Sequence, residues 1–216
     1  MELKGKKILF LGDSITAGVG ASNENNVYWK HLEKNDGCIV KGYGISGTRI
    51  ANQQKETPNT LNLYFRTRLA EMDNDADVVV VFGGTNDYGH GDAAMGSFSD
   101  RTDDTFYGAL HNLYQDLINK YPTARIVILT PLHRLNENNY YNENGIRCVG
   151  TLRDYVEKIK EVAKYYSLPV LDLYSLSGFQ PDIECNKNLY LPDGLHPSDL
   201  GYERIYNLLK EFLKSL

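Results

Sequence analysis

Short runs of β-branched and other apolar residues recur along the chain, with room for a helix between them. Five runs predict strands, at Lys7 to Leu11, Cys38 to Val40, Val78 to Phe82, Arg125 to Thr130 and Pro169 to Leu173. Longer stretches have helical spacing, at Thr60 to Met72, Thr105 to Tyr121, Thr151 to Tyr166 and Ser198 to Leu216. Strand and helix therefore alternate, which is typical of an α/β protein.

The run from Val78 to Phe82 is apolar at every position. An unbroken apolar run predicts a parallel strand covered by helices on both faces, and hence a three-layer α/β/α sandwich. Ligands of such sheets bind beyond the carboxyl ends of the strands. Two long predicted loops, Tyr88 to Asp104 and His133 to Gly150, follow the third and fourth strands and are expected to border that crevice.

Chain length and net charge exclude some classes of protein. The 216 residues contain no repeat or linker that predicts a boundary, so we expect one domain over residues 1–216. A net charge of −5 offers no basic surface for a phosphate backbone, which argues against a nucleic-acid partner. No apolar stretch approaches the ~20 residues of a membrane span, so integral membrane association is not expected.

The N-terminal residues carry no recognisable secretory signal, and we expect a cytoplasmic protein. The three cysteines, Cys38, Cys148 and Cys185, are widely spaced and form no CxxC pair. This spacing favours buried or unreactive thiols over a metal or redox site. Composition does not predict the oligomeric state.

Small and polar residues follow the first three predicted strands. Ser14, in Gly12 to Thr16, places a hydroxyl at the carboxyl edge, although Gly, Asp and Ser are also ordinary turn and capping residues. The turn around Gly47 lets backbone N–H groups approach a ligand, or is simply a tight turn. Asn86, after two glycines, offers an amide N–H donor.

A carboxylate precedes an imidazole by three residues near the C-terminus, in Asp193-Gly194-Leu195-His196-Pro197. Asp193 could hold one ring nitrogen of His196, so that the other nitrogen accepts a serine proton. The segment GDSIT, the Gly47 turn, GTND and DGLHP, in that order, resemble the four blocks of the GDSL or SGNH hydrolase family over residues 12–197.

The resemblance implies a flavodoxin-like fold with a five-stranded parallel sheet, hydrolysis of esters or thioesters, and no metal or organic cofactor. It implies Ser14 as nucleophile, His196 as base and Asp193 as its orienting acid. It also implies an oxyanion hole made of the Ser14 and Gly47 amides and the Asn86 side chain. The absence of a GxSxG elbow argues against the larger α/β-hydrolase fold.

One position departs from the family pattern: Gly42 stands where many members have an asparagine, five residues before Gly47. We expect different local support of the oxyanion turn without loss of activity. Asp13, Asp87 and His133 flank the same edge and are assigned to substrate binding.

The preferred function is therefore hydrolysis of small acyl esters, acetyl esters above all, with carbohydrate esters favoured by the 16 tyrosines. Three alternatives stay open. The chain could be a lipid acylhydrolase or thioesterase of the same family, or a non-catalytic carbohydrate-binding protein that has kept the fold. A receiver or nucleotide-binding domain would use Asp13 and Asp87, but it lacks a P-loop and leaves the Asp193–His196 pair unexplained.

Overall fold

The centre of the molecule is a parallel β-sheet. The structure, a computed structural model, describes residues 1–55 and 62–216. Its strands are Lys7–Gly12 (β1), Ile39–Gly44 (β2), Val78–Phe82 (β3), Arg125–Leu129 (β4) and Val170–Leu171 (β5). Within the described residues these five strands form one sheet in the order β2-β1-β3-β4-β5, and every neighbouring pair is parallel. Each of the five predicted runs therefore contains or overlaps a strand.

Helices cover both faces of this sheet. They are Ser14–Ala17 (α1), Tyr28–Asp36 (α2), Thr85–His90 (α3), Phe106–Lys120 (α4), Leu152–Tyr165 (α5), Leu173–Leu176 (α6), Glu184–Tyr190 (α7) and Asp199–Ser215 (α8). One apolar cluster joins α4 and α5 to the sheet, and another joins α2 and α8 to its opposite face. The predicted three-layer α/β/α architecture is confirmed.

Strand β3 shows why the apolar runs are unbroken. Val79 and Val81 pack into the cluster with α4 and α5, whereas Val78, Val80 and Phe82 pack into the cluster with α2 and α8. Side chains of a strand alternate between faces, and here both faces are covered by helices. All five residues are buried as a result.

Two local predictions were wrong in part. The stretch from Thr60 to Met72 contains a 3₁₀ helix at Phe65–Glu71 in place of a longer helix, and residues 60 and 61 lie outside the described residues. The predicted loop from Tyr88 to Asp104 begins inside α3, which continues to His90. Gly84, with φ +107°, turns the chain directly after β3, so that a short helix fits before the loop.

No helix among residues 1–55 and 62–216 combines the length and the apolar character that crossing a bilayer requires. The expectation of one domain over residues 1–216 stays a prediction.

Candidate active site

Ser14 lies where β1 turns into α1. Gly12, the last residue of β1, has no space for a Cβ atom, which would lie 2.9 Å from the Phe82 carbonyl oxygen and closer still to Thr16. Asp13 caps the new helix by accepting a hydrogen bond from the Ile15 amide at 3.0 Å. Ser14 is therefore the first residue of a helix, a position at which its own amide faces outward from the helix end.

The turn after β2 packs against α1. The Ile45 amide donates to the Gly12 carbonyl at 3.2 Å, and a Cβ on Gly44 would lie 2.2 Å from the Ala17 nitrogen. Gly47 has φ +76°, a conformation that other L-residues adopt at a cost. Among the described residues, neither the Ser14 nor the Gly47 amide donates to a backbone carbonyl. Neither N–H group is therefore used by the hydrogen bonds between backbone groups.

Asn86 joins the turn after β3 to the turn after β2. Its side-chain nitrogen donates to the Thr48 carbonyl at 3.0 Å, and its Oδ1 lies 3.2 Å from His90 Nε2. The side chain is buried. An amide nitrogen carries two hydrogens, so one N–H remains after the bond to Thr48.

The loop before α8 brings an imidazole to Ser14. His196 Nε2 lies 3.0 Å from Ser14 Oγ, and His196 Nδ1 lies 2.7 Å from Asp193 Oδ2. The other carboxylate oxygen, Asp193 Oδ1, accepts from the Leu195 amide at 2.9 Å and the His196 amide at 2.7 Å. Burial acts to raise the pKa of Asp193, but the bonds from His196 and the two amides outweigh it and lower that pKa.

Neighbouring elements hold this loop in place. The Tyr202 hydroxyl, on α8, lies 3.0 Å from the Ile15 carbonyl oxygen and 2.8 Å from that of Val19. The Leu135 amide, in the loop after β4, donates to the Gly194 carbonyl at 2.8 Å. The position of the imidazole therefore depends on α1, α8 and the loop after β4 together.

The protonation of this hydrogen-bonded series follows from its donors and acceptors. An ionised carboxylate only accepts, so Nδ1 of His196 carries the ring proton and Nε2 accepts from the Ser14 hydroxyl. An imidazole in this tautomer can remove the hydroxyl proton while its carboxylate partner stabilises the resulting imidazolium.

The residues assigned to substrate binding are placed differently. Asp13 caps α1, and Asp87 accepts from the Ile50 and Ala51 amides, each at 2.9 Å. Burial raises the pKa of each carboxyl to about 6. The His133 ring lies against that of Tyr174 at a tilt of 31°, with ring centres 3.8 Å apart, and its Nδ1 lies 2.9 Å from a Glu137 oxygen. Their substrate contacts stay a prediction.

Two supports of the site were not recognised in the sequence. Buried Arg68 donates to the Gly12 carbonyl at 3.0 Å and the Tyr43 carbonyl at 2.9 Å, bracing the ends of β1 and β2. Burial lowers the pKa of Arg68 to about 10. Trp29 packs over Gly42 and donates from Nε1 to the Thr16 carbonyl at 2.9 Å. The departure at Gly42 thus makes room for an indole that supports α1.

Two cavities are bordered by the long loops. One of about 250 Å³ is lined by Tyr88, Gly89, Arg134, Asn136, Asn139, Tyr141, Asn142 and Glu143. Another of about 240 Å³ is lined by Arg49, Gln53, Lys55, His90, Asp92, Asn144 and Ile146. Most of the residues that line each cavity have polar or charged side chains. Over the part of the chain that the structure describes, no group of three His, Cys, Asp or Glu side chains is arranged to hold a metal ion.

Fold and site together define a three-layer α/β/α protein with a serine, a histidine and an aspartate hydrogen-bonded in series at the carboxyl edge of its sheet. The chain belongs to the GDSL-like lipase/acylhydrolase family, whose model matches residues 10–204. The resemblance drawn from the sequence blocks is confirmed, and the family implies hydrolase activity.

Several solved structures have a similar fold. One crystal structure shares 32% identity with a TM-score of 0.86, covering 100% of this chain and 99% of its own. A protein from Lactobacillus plantarum shares 30% identity with a TM-score of 0.82, covering 99% and 98%. An acetyl xylan esterase shares 23% identity with a TM-score of 0.63, covering 95% and 98%. A comparison with curated proteins found no match.

Proposed function

We propose that this protein is a serine esterase in which Ser14 is the nucleophile, His196 the general base and Asp193 the residue that orients it. The observation that carries the proposal is the pair of distances in series, 3.0 Å from Ser14 Oγ to His196 Nε2 and 2.7 Å from His196 Nδ1 to Asp193 Oδ2. The first distance lies within the range at which a base removes the proton of a nucleophile, and the second within that of the hydrogen bond that orients the base.

In the first half-reaction, Ser14 Oγ attacks the ester carbonyl carbon while its proton passes to His196 Nε2. The carbonyl oxygen becomes an oxyanion, which accepts hydrogen bonds from the Ser14 and Gly47 amides and from the remaining Asn86 N–H. The tetrahedral intermediate then expels the alcohol oxygen, which takes the proton from Nε2. The products are a free alcohol and an acyl group on Ser14 Oγ.

In the second half-reaction, water takes the place of the alcohol. His196 Nε2 removes a proton from the water as its oxygen attacks the acyl carbon. The second tetrahedral intermediate collapses by releasing Ser14 Oγ, which recovers the proton from Nε2. The free acid leaves and the enzyme returns to its starting state.

For the substrate we propose a small acyl ester, acetyl above all, on a carbohydrate or similarly polar alcohol. Polar side chains line the two cavities bordered by the long loops, with Asn136, Asn139 and Asn142 in one and Gln53 and Asn144 in the other. Amide side chains both donate and accept hydrogen bonds, which suits hydroxyl-rich ligands. The fold similarity to an acetyl xylan esterase supports the same class.

The test combines turnover with covalent labelling. Wild type and Ser14→Ala are compared on p-nitrophenyl esters of increasing acyl length and on acetylated sugars. A fluorophosphonate probe is used in parallel. We expect turnover of the short esters and labelling of Ser14, both lost in Ser14→Ala. The control, Ser215→Ala at the end of α8, should retain both.

The outcomes separate the alternatives. Preference for long acyl chains would favour a lipid acylhydrolase and overturn the substrate class. Binding of acetylated sugars without turnover or labelling would identify a non-catalytic binding protein and overturn the esterase proposal.

The oxyanion donors have a test of their own. Asn86→Ala should raise the barrier by roughly 3 kcal/mol, since one donor is lost. Asn119→Ala, an exposed amide on α4, is the matched control and should be neutral. Unchanged kcat in Asn86→Ala would remove this side chain from the mechanism.

A further inference from the structure

A partly buried histidine lies one helical turn beyond Asn86. His90 is the last residue of α3, and its Nε2 lies 3.2 Å from Asn86 Oδ1. On the other side of the ring, Nδ1 lies 2.9 Å from Nη1 of Arg49, which is buried in the segment after the Gly47 turn. The imidazole therefore connects a cation to the side chain proposed as an oxyanion donor.

The donors and acceptors of this series leave one protonation state. A guanidinium only donates, so His90 Nδ1 accepts from Arg49 and the ring proton resides on Nε2. That N–H then donates to Asn86 Oδ1. The amide is thereby oriented with its nitrogen toward the Thr48 carbonyl, 3.0 Å away, which agrees with the hydrogen bond that Asn86 makes there.

We propose that His90 is a positioning residue of the esterase: in its neutral Nε2–H tautomer, selected by Arg49, it orients the Asn86 amide so that an N–H faces the oxyanion. The inference deepens the proposed function and rests on it. Without His90, Asn86 Oδ1 loses its donor, and rotation of the amide by half a turn would present an oxygen where the oxyanion requires an N–H.

The helix that carries both residues also holds the segment that carries Arg49. The Asp87 carboxylate, three residues before His90 on α3, accepts from the amides of Ile50 and Ala51. The guanidinium and the imidazole are thus fixed relative to one another from two directions. Hydrogen bonds in such a series polarise one another, so a positive charge at its far end strengthens the last donor.

The surroundings of His90 favour the neutral ring. Burial and the charge of Arg49 lower the pKa of His90. The charge of Arg134 also lowers the pKa of His90, whereas that of Glu143 raises it. These two side chains form an ion pair with each other. Lys55 and Asp92 line the cavity beside the ring.

The test is a double-mutant cycle with a rescue variant. His90→Leu should lower kcat on p-nitrophenyl acetate by about tenfold to a hundredfold through misorientation of Asn86, with KM changed less. Asn86→Ala should cost much less kcat in the His90→Leu background than in wild type. His90→Gln, whose amide can accept from Arg49 and donate to Asn86, should recover most of the loss.

The control is His111→Leu, which removes a buried imidazole whose Nδ1 lies 3.1 Å from the Tyr166 hydroxyl. It should lower thermal stability but leave kcat of the folded protein unchanged. An additive cycle, or equal losses in His90→Leu and His90→Gln, would overturn the inference while leaving the esterase proposal intact.

Ring nitrogen NMR gives a readout that does not depend on turnover. We expect His90 to hold a protonated Nε2 and a bare Nδ1 from pH 6 to 8, also in Ser14→Ala. A charged ring or the opposite tautomer in this range would overturn the inference even in an active enzyme. Absence of turnover and labelling in wild type would instead refute the esterase proposal itself.

Discussion

Replacing Asp193 by asparagine changes which nitrogen of His196 carries the proton. The carboxylate accepts three hydrogen bonds, two on Oδ1 from backbone amides and one on Oδ2 from His196 Nδ1. An asparagine has a single oxygen, and it must stay with the two backbone N–H donors. Its NH₂ group then faces Nδ1, which has to accept. The ring proton moves to Nε2, where it blocks removal of the Ser14 proton.

The size of the effect follows from these contacts. Keeping the active tautomer would bring two donors together, which costs about 1–3 kcal/mol for the unsatisfied group. The variant also removes the negative charge 2.7 Å from Nδ1 that stabilises the imidazolium in the transition state. In a serine protease the same change lowers kcat about 10⁴-fold. We expect a similar loss here, equivalent to roughly 5 kcal/mol in the barrier.

The assay is steady-state hydrolysis of p-nitrophenyl acetate at neutral pH, with the rate of fluorophosphonate labelling measured beside it. Asp199→Asn is the matched control, because it makes the same charge change in the first turn of α8. The Asp199 carboxylate contacts Ser22 and Asn26 instead of the imidazole. A folded Asp193→Asn variant with kcat within tenfold of wild type would refute this account of the base.

Three further predictions concern stability, each measured by urea denaturation. Gly44→Ala should lower the free energy of unfolding by more than about 3 kcal/mol, because the new Cβ would clash with backbone atoms. Gly5→Ala should lower it by about 1–2 kcal/mol, because Gly5 has φ +75° but open space around it. Equal losses in the two variants would contradict the clash. Because burial raises the pKa of Asp87 to about 6 from near 3.8, the folded state retains a proton that the unfolded state releases. The stability of wild type relative to Asp87→Asn should therefore fall as pH rises from 4 to 6, by roughly 3 kcal/mol, and a pH-independent difference would disprove this linkage. Thr151→Ala removes the side-chain cap of α5 and should lower the free energy of unfolding by about 1 kcal/mol. The control Thr123→Ala, at an exposed position, should change it very little. An unchanged stability of Thr151→Ala would show that the cap is dispensable.

The predicted strands were accurate where the chain is covered on both faces. The predicted bounds of the strand from Val78 to Phe82 match the observed ones, because a strand between two helical layers is apolar at every position. The predicted loop from Tyr88 to Asp104 includes the last three residues of the short helix α3. The six residues of this helix are too few to show a helical period, and it begins at a glycine whose positive φ is visible only in the backbone.

The supports of the site were less accessible to sequence reasoning. Arg68 lies in a 3₁₀ helix of mixed polar and apolar residues, and its partners are carbonyls of strand ends 25 and 56 residues away in sequence. Residue type alone could not distinguish it from an exposed arginine. The contacts of His90 could not be predicted from the sequence either, because its partner Arg49 comes from a different turn.

The sequence by itself determined the order of strands and helices, the three-layer class and the residue types at the carboxyl edge. These properties are local. The hydrophobic periodicity of a segment reflects which of its faces are buried, and a short motif is visible directly in the order of its residues. The tertiary structure alone decided the distance from residue 14 to residue 196, the tautomers of both imidazoles and the burial of Asp87 and Arg49. Those properties depend on which donors and charges from separate turns come into contact. Such contacts form only when the sheet brings the turns together, so they cannot be read from the order of residues along the chain.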